Sequence, residues 1–422
     1  MPLSFVSRQF LTAALVHLGA VGVLLLMGPG AGAFTLRWDF LVWLLLVGFV
    51  GFTTAGLALH LFPTLSRRPQ PRRWVAQAAF LLAEGGLFLG AAGLSETTSF
   101  RFPGWVFPLG GLLFLCGEAS VMALFASELL EPRLTTPGPE TRPGDAVTVP
   151  LFVASWASAV GSGGLFILSG LAGGPGFGWW LAAVHLFVLG HVTLLITAVV
   201  LRLVPRSLDA DLSHPVVYLL TGLAIAGALL VPFGMLSLPP SQAPDLVYFA
   251  APEAAFAVLL VFLLAFLGGR SRTLRKEFGL QLMSAAWLLL GGGLGLWMVS
   301  DSSYSYVVTH AVINVLGFVG LMILVEWFGM IAPFQRISHT WTRRMLGVLS
   351  GAWILGVVAA ATAGGWGPSG PEWVTSIAGA LVLGVAVTWG AGTLPVLFPT
   401  LNPLPGLTGS EIGVLRERWR NR

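Results

Sequence analysis

Long apolar stretches alternate with short polar ones along the whole chain. Strand-type alternation is rare in the apolar stretches, whereas glycine and proline are frequent, as in membrane helices. About 20 helical residues cross the hydrocarbon core of a bilayer, so each stretch is long enough to span a membrane. The pattern predicts an all-α protein with twelve such helices, at about residues 9–31, 39–62, 73–97, 103–129, 148–172, 177–203, 213–237, 245–268, 277–299, 306–331, 343–366 and 371–398.

Composition agrees with a membrane protein. Of the 422 residues, 56% are hydrophobic and only 9% are charged. A soluble domain cannot cover its surface with so few charges, so the chain is expected to lie in a lipid bilayer. The net charge of +4 then reflects membrane topology and excludes a nucleic-acid surface.

The basic residues predict the orientation. If the N-terminus is cytoplasmic, all 22 Lys and Arg residues except Arg37 and Arg101 lie on the cytoplasmic side. This bias predicts that both termini are cytoplasmic, in a bacterial-type inner membrane. The segment "LLLMGPGAGAF" resembles a signal-peptide cleavage site, but the long apolar run before it favours a first helix that is retained.

No part of the chain is polar enough to form a soluble domain. The one sizeable connector, residues 130–147, is rich in proline and threonine and is expected to be a cytoplasmic loop. Cys116 is the only cysteine, which excludes disulfides and cysteine-based metal sites. We therefore expect a single polytopic transmembrane domain over residues 1–422.

A glycine and a proline recur at a fixed spacing in every fourth segment. The pairs are Gly48 and Pro63, Gly190 and Pro205, and Gly317 and Pro333, fifteen residues apart in the first two and one residue longer in the third. The spacing predicts three four-helix units in a pseudo-threefold array. Gly384 and Pro399 in the twelfth segment share the spacing but break the register, which is expected of a shared membrane-exit pattern. Close helix packing at glycine and helix ends at proline would explain each residue separately.

The histidines in two of these segments carry a family resemblance. The sixth segment, "WWLAAVHLFVLGHVTLLITAVVLRLVPR", and the tenth, "THAVINVLGFVGLMI", are similar to ligand-bearing helices of subunit I of the haem-copper oxidases, particularly the cbb3-type. The chain also resembles their nitric oxide reductase relatives and the nitrosative-stress (NnrS-type) haem-copper proteins. The likeness covers most of the chain in layout and three helices in motif.

The resemblance implies a reduced set of cofactor ligands. His310, seven residues before Gly317, matches the ligand of the active-site haem, and His185, five before Gly190, matches the first copper ligand. Val312 stands where the tenth segment would bind a low-spin haem, and Leu41 and Trp43 fill the equivalent positions of the second segment. The adjacent copper-binding histidines are missing from "LLVPFG".

The expected function follows from that set. We expect one b-type haem, with His310 as proximal ligand and His185 as distal ligand or partner of a bound gas, and no copper site. The protein would bind a diatomic gas such as O2 or NO, or carry an electron, alongside respiratory-chain subunits or a cytochrome. Enzymatic activity is left open; if present, it would be of the cytochrome oxidase or nitric oxide reductase type.

Three alternatives stay open at this stage. Both histidines could be interfacial residues at outer helix ends, hydrogen-bonded to water. The protein could be a transporter or channel without a cofactor. It could also be a structural or assembly partner of a respiratory complex that keeps the fold without the chemistry.

Four glutamates lie within apolar segments: Glu84, Glu118, Glu253 and Glu326. A charge at the bilayer centre costs roughly 2.5–3.5 kcal/mol on insertion scales, so each should be protonated, paired or next to water. They could form a proton path, with Glu326 the leading candidate because it lies on the same helix as His310. Each could instead bond to a neighbouring helix backbone.

Other polar residues are expected to have local roles. Lone helical histidines such as His17 and His191 are typically hydrogen-bonded, and His60 is expected in water or among headgroups. Asn314 could hydrogen-bond to a neighbouring helix. Asp39 is assigned no role at its outer helix end.

Overall fold

A computed structural model describes residues 5–27, 38–66, 72–95, 102–130, 142–173, 178–207, 210, 212–238, 240–270, 275–301, 306–326, 339–366 and 372–397. Every regular element in these ranges is helical. Twelve of the described helices are long and apolar enough to cross a membrane, which confirms the predicted fold class. The protein is therefore a multi-pass membrane protein.

The twelve helices follow the predicted segments to within a few residues. Their bounds are α1 Phe5–Met27, α2 38–66, α3 Arg73–Leu94, α4 Val106–Leu130, α5 Pro143–Leu171, α6 179–207, α7 His214–Ser237, α8 Leu246–Arg270, α9 Arg275–Ser300, α10 307–326, α11 His339–Trp366 and α12 Glu372–Leu397. A short 3₁₀ turn, Pro240–Asp245, precedes α8. The segment 28–37, which holds the cleavage-site pattern, and Pro333 and Pro399 lie outside the described residues.

The α5 helix begins earlier than expected. The predicted connector runs to residue 147, but Pro143 already occupies the first turn of α5. Proline suits this position because the first turn needs no backbone N–H, and Asp145 in the same turn complements the positive end of the helix. A polar first turn thus precedes the apolar part of α5.

The outer helices of the described fold surround three central ones. Neighbouring outer helices pack in the order α3 on α4, α4 on α5, α7 on α8, α8 on α9, α11 on α12, and α12 on α1. In α2, α6 and α10, 83%, 78% and 67% of the residues in the spanning windows are buried, against at most 50% in any other helix. These three helices are therefore shielded from lipid by the other nine, in three units of four.

Each central helix contains an eight-residue π-helical stretch at the same point of the repeat. The stretches are Leu44–Gly51, Leu186–Thr193 and Ile313–Gly320, and the repeat glycine is the fifth residue in all three. A π-helical turn is wide and uncommon, and it changes the direction in which carbonyls and side chains point. The three stretches pack against one another at the centre of the array.

The repeat glycines allow the first helix of each unit to approach the second. A Cβ atom on Gly48 would lie 3.0 Å from the His17 ring, and one on Gly190 would lie 2.6 Å from Ser158. A Cβ atom on Gly317 would lie 2.9 Å from the Trp287 ring. The glycine is thus required at all three positions because a side chain from α1, α5 or α9 already occupies the space.

The same three pairs of helices are also joined by hydrogen bonds to π-helical carbonyls. His17 Nδ1 lies 3.1 Å from the Gly48 carbonyl, the Ser155 hydroxyl donates to the His191 carbonyl at 2.8 Å, and the Ser284 hydroxyl donates to the Phe318 carbonyl at 2.7 Å. In a bilayer no water reaches these carbonyls, so donors from neighbouring helices stabilise the stretches. The three units therefore share a structural device as well as a spacing.

The α12 helix has neither the π-helical stretch nor the close contact at its glycine. Its described residues are α-helical throughout, and a Cβ atom on Gly384 would have open space around it. The glycine spacing in α12 is therefore unrelated to the packing of the central helices.

We predict that Gly190→Ala and Gly317→Ala lower the thermal stability of the detergent-solubilised protein. The added methyl group overpacks the α5–α6 or α9–α10 contact, at a cost of about 1–3 kcal/mol. Thermal unfolding followed by size-exclusion chromatography measures the change. Gly384→Ala is the matched control and should leave the midpoint unchanged or slightly raised; equal losses in all three variants would contradict this role for the repeat glycines.

Candidate functional site

A cavity of about 500 Å³ lies between α2, α6, α8, α9 and α10. We call it the histidine cavity. Its wall is mostly aliphatic, and its volume lies within the range of small-molecule sites. The polar side chains among its lining residues are those of Asp39, His185, Glu253, His310, Asn314 and Thr375.

His185 projects from α6, directly before its π-helical stretch. Its Nδ1 lies 2.8 Å from the Leu181 carbonyl, one turn earlier in the same helix. A carbonyl only accepts hydrogen bonds, so Nδ1 must carry the proton and Nε2 keeps its lone pair. Within the described residues, the His185 ring makes this one hydrogen bond, through its Nδ1 atom.

His310 projects from α10 and is tied to a different helix. Its Nδ1 donates to the Gly291 carbonyl of α9 at 2.8 Å, so its Nε2 also keeps its lone pair. A histidine whose Nδ1–H bonds to a backbone carbonyl is oriented in the way that metal-bound histidines usually are. Both imidazoles are therefore prepared to bind through Nε2.

The glycine-rich stretch "GGGLG" of α9 makes the room for this arrangement. A Cβ atom on Gly295 would lie 2.7 Å from His310 Cε1, and one on Gly291 would collide with the Asn314 amide. The Asn314 Nδ2 donates to the His310 carbonyl of its own helix at 2.9 Å, in place of the bond to a neighbouring helix that the sequence left possible. The physical reason is that Gly291 offers space and no side-chain partner. Sequence reasoning missed these glycines, although their clustering in one helix was visible.

The structure brings the two predicted histidines together. Their ring centres are 6.0 Å apart and the ring planes differ by 23°. With metal–nitrogen distances of roughly 2 Å, two imidazoles that share one ion have ring centres roughly 6 Å apart. The separation of the ring centres is therefore compatible with one shared metal ion.

The four glutamates lie on four different helices, and only Glu253 lines the histidine cavity. It packs on Gly227 of α7, and in the described part of the chain neither carboxylate oxygen has a hydrogen-bond partner. Glu326 accepts a 2.6 Å bond from Gln281 Nε2 of α9, Glu84 lies 3.4 Å from His17 Nε2, and Glu118 is buried in α4. The proposed proton path stays a prediction.

The described residues contain no metal site with three or more protein ligands. No group of three or more His, Cys, Asp or Glu side chains there is placed to hold a metal ion. Among the described residues, the histidine pair thus offers two candidate ligands.

His191 has a structural role outside the cavity. It is fully buried, with Nδ1 3.0 Å from the Ser155 hydroxyl and Nε2 3.1 Å from the Thr54 hydroxyl. These bonds link α6 to α5 and α2, and the ring packs edge-on against Trp156. The expectation of a hydrogen-bonded histidine is confirmed.

The prediction for His60 is wrong, because its side chain is only 2% exposed. It lies on α2, and neighbouring helices cover this part of the central helix. An estimate of depth from sequence position alone cannot detect this covering.

We predict that His191→Phe lowers the thermal stability of the detergent-solubilised protein. Phenylalanine keeps the ring but removes both bonds to the buried hydroxyl groups, which costs about 1–3 kcal/mol. Thermal unfolding in detergent measures the loss. His214→Phe, at the exposed start of α7, is the control and should be neutral; an unchanged midpoint for His191→Phe would contradict the structural role.

No protein-family model and no curated protein sequence matches this chain. The chemistry of the histidine cavity therefore has to be inferred from its own residues.

Proposed function

We propose that the histidine cavity binds one b-type haem, with iron next to His310 and His185, and that the protein carries an electron or binds a diatomic gas there. The observation that carries the proposal is the facing pair of imidazoles, 6.0 Å apart, in an apolar cavity. Histidines that only bind water at the membrane surface are not expected to line one cavity, with both Nδ1 atoms hydrogen-bonded to backbone carbonyls.

The residues present fit this group. Aliphatic side chains surround the pair, as a porphyrin requires, and the backbone carbonyls of Leu181 and Gly291 fix the orientation and tautomer of the two rings. A bound haem would supply an iron that changes oxidation state and accepts a gas ligand. His310 would anchor it to α10, while the aliphatic wall excludes water.

The propionate groups set a further condition. No arginine or lysine is found among the described residues that line the cavity, where Asp39 and Glu253 are the acidic ones. The two propionate carboxylates of a haem would be repelled by these acidic side chains. His310 lies within the first turn of α10, so a haem held by this residue would be close to the membrane surface.

The missing ligands support a single haem. Trp43 occupies the position of α2 that would have to ligate a second haem, and it is 1% exposed among other aromatic rings. Its Nε1 donates to the Leu87 carbonyl at 3.0 Å. An indole bonded in this way fills the space and supplies no ligand, so we place no second haem at this position of α2 and no copper in this protein.

The distribution of Lys and Arg supports a location for the site. We propose a bacterial-type inner membrane with both termini cytoplasmic, because this orientation leaves only Arg37 and Arg101 outside. The histidine cavity then lies near the outer face, within reach of a cytochrome or a respiratory-chain subunit that delivers electrons.

The orientation is tested with single cysteines in a Cys116→Ala background. Asn421→Cys probes the C-terminal tail, and Ser95→Cys probes the end of α3. We expect an impermeant thiol reagent added to intact cells to label Ser95→Cys and to leave Asn421→Cys unlabelled. The reverse pattern would overturn the proposed orientation, and permeabilised cells control for reactivity.

We predict that the protein purified from haem-sufficient cells shows a b-type haem spectrum at about one haem per chain. His310→Ala should remove the haem because it deletes the anchor on α10, whereas His214→Ala, outside the cavity, should keep it. Absorption spectra and haem extraction measure both. A colourless wild-type protein contradicts the proposal, and solute or proton flux that Glu253→Gln abolishes would then favour a transporter.

A further inference from the structure

We infer that His185 and His310 both bind the haem iron directly, and that an external gas binds only when His185 leaves. This inference rests on the proposed haem function and specifies the ligation state of that site. It distinguishes a gas-binding pocket that is permanently open from one that its own histidine closes.

The separation of the rings carries the first step. Direct ligation by both Nε2 atoms needs ring centres roughly 6 Å apart, at metal–nitrogen distances of roughly 2 Å. A diatomic molecule held between the iron and a distal imidazole would need roughly 3 Å more, the length of one further hydrogen-bond contact. The observed distance is 6.0 Å. The pair therefore has room for the iron alone.

The attachments of the two rings decide which one leaves. His310 is bonded to Gly291 on α9 and its ring packs on Gly295 of the same helix, with Asn314 beside it. Moving it would require α9 and α10 to separate. It is therefore the fixed ligand.

His185 is held less firmly. Its one hydrogen bond within the described residues runs to Leu181 of its own helix, and the next residue begins the π-helical stretch. Rotation of this side chain into the apolar cavity breaks no hydrogen bond between helices. His185 could therefore leave a shared iron together with its lone pair, without disturbing the contacts between helices and without transfer of an electron.

The experiment uses carbon monoxide and the purified, reduced holoprotein. The wild type should be six-coordinate and low-spin, and its observed rate of carbon monoxide binding should level off at high concentration, where release of His185 limits it. His185→Gly should be high-spin, with a rate linear in carbon monoxide and at least about tenfold faster. Added imidazole should restore the low-spin spectrum of His185→Gly, and His214→Gly should behave as the wild type.

The outcomes separate the two proposals. Haem that is present but high-spin in the wild type, or a His185→Gly spectrum that stays low-spin without imidazole, overturns the inference and leaves the haem function standing. A protein without haem overturns both. If His185→Gly does not fold, the spin state and the concentration dependence of the wild type still decide the question.

Discussion

The contact between the first and second helix of each unit is the constraint on which the rest of the structure depends. Three central helices have little access to lipid, so each must satisfy its polar backbone within the protein. A glycine admits the neighbouring helix at van der Waals distance, and a side chain from that helix reaches a carbonyl of the π-helical stretch. With these contacts repeated three times, α2, α6 and α10 can meet at the centre, and the outer helices pack around them.

The candidate site arises where the three units differ. At the equivalent ends of the central helices, α6 carries His185, α10 carries His310 and α2 carries the packed Trp43. The indole fills its own corner with aromatic contacts, while the glycines of α9 leave a space beside His310. The pseudo-threefold frame thus positions two histidines opposite each other, and small residues on one side of the frame provide the cavity between them.

Much of the architecture could be predicted from the sequence. Apolar length predicted the twelve helices, and the recurring glycine identified α2, α6 and α10 as equivalent. The convergence of His185 and His310 followed from a family resemblance and could not be derived from either helix alone. The π-helical stretches have no signature in runs such as "LLLVGFVG" and "INVLGFVG", because the wider turn depends on the helices packed around them.

The roles of the buried polar residues were harder to predict. Glu253 and Glu118 look alike in sequence, yet only Glu253 lines the cavity, because α8 borders the cavity and none of its described lining residues belongs to α4. The same limit applied to Asn314, whose partner depends on the missing side chain of Gly291. The arrangement of the helices is fixed by contacts between distant segments, which periodicity alone does not determine.

The most direct measurement of the central claim is a cryo-electron microscopy map of the purified protein at side-chain resolution. We expect planar density between His185 and His310, with a strong central peak in line with both Nε2 atoms. A cavity that holds only water or an aliphatic chain between these two rings would contradict it.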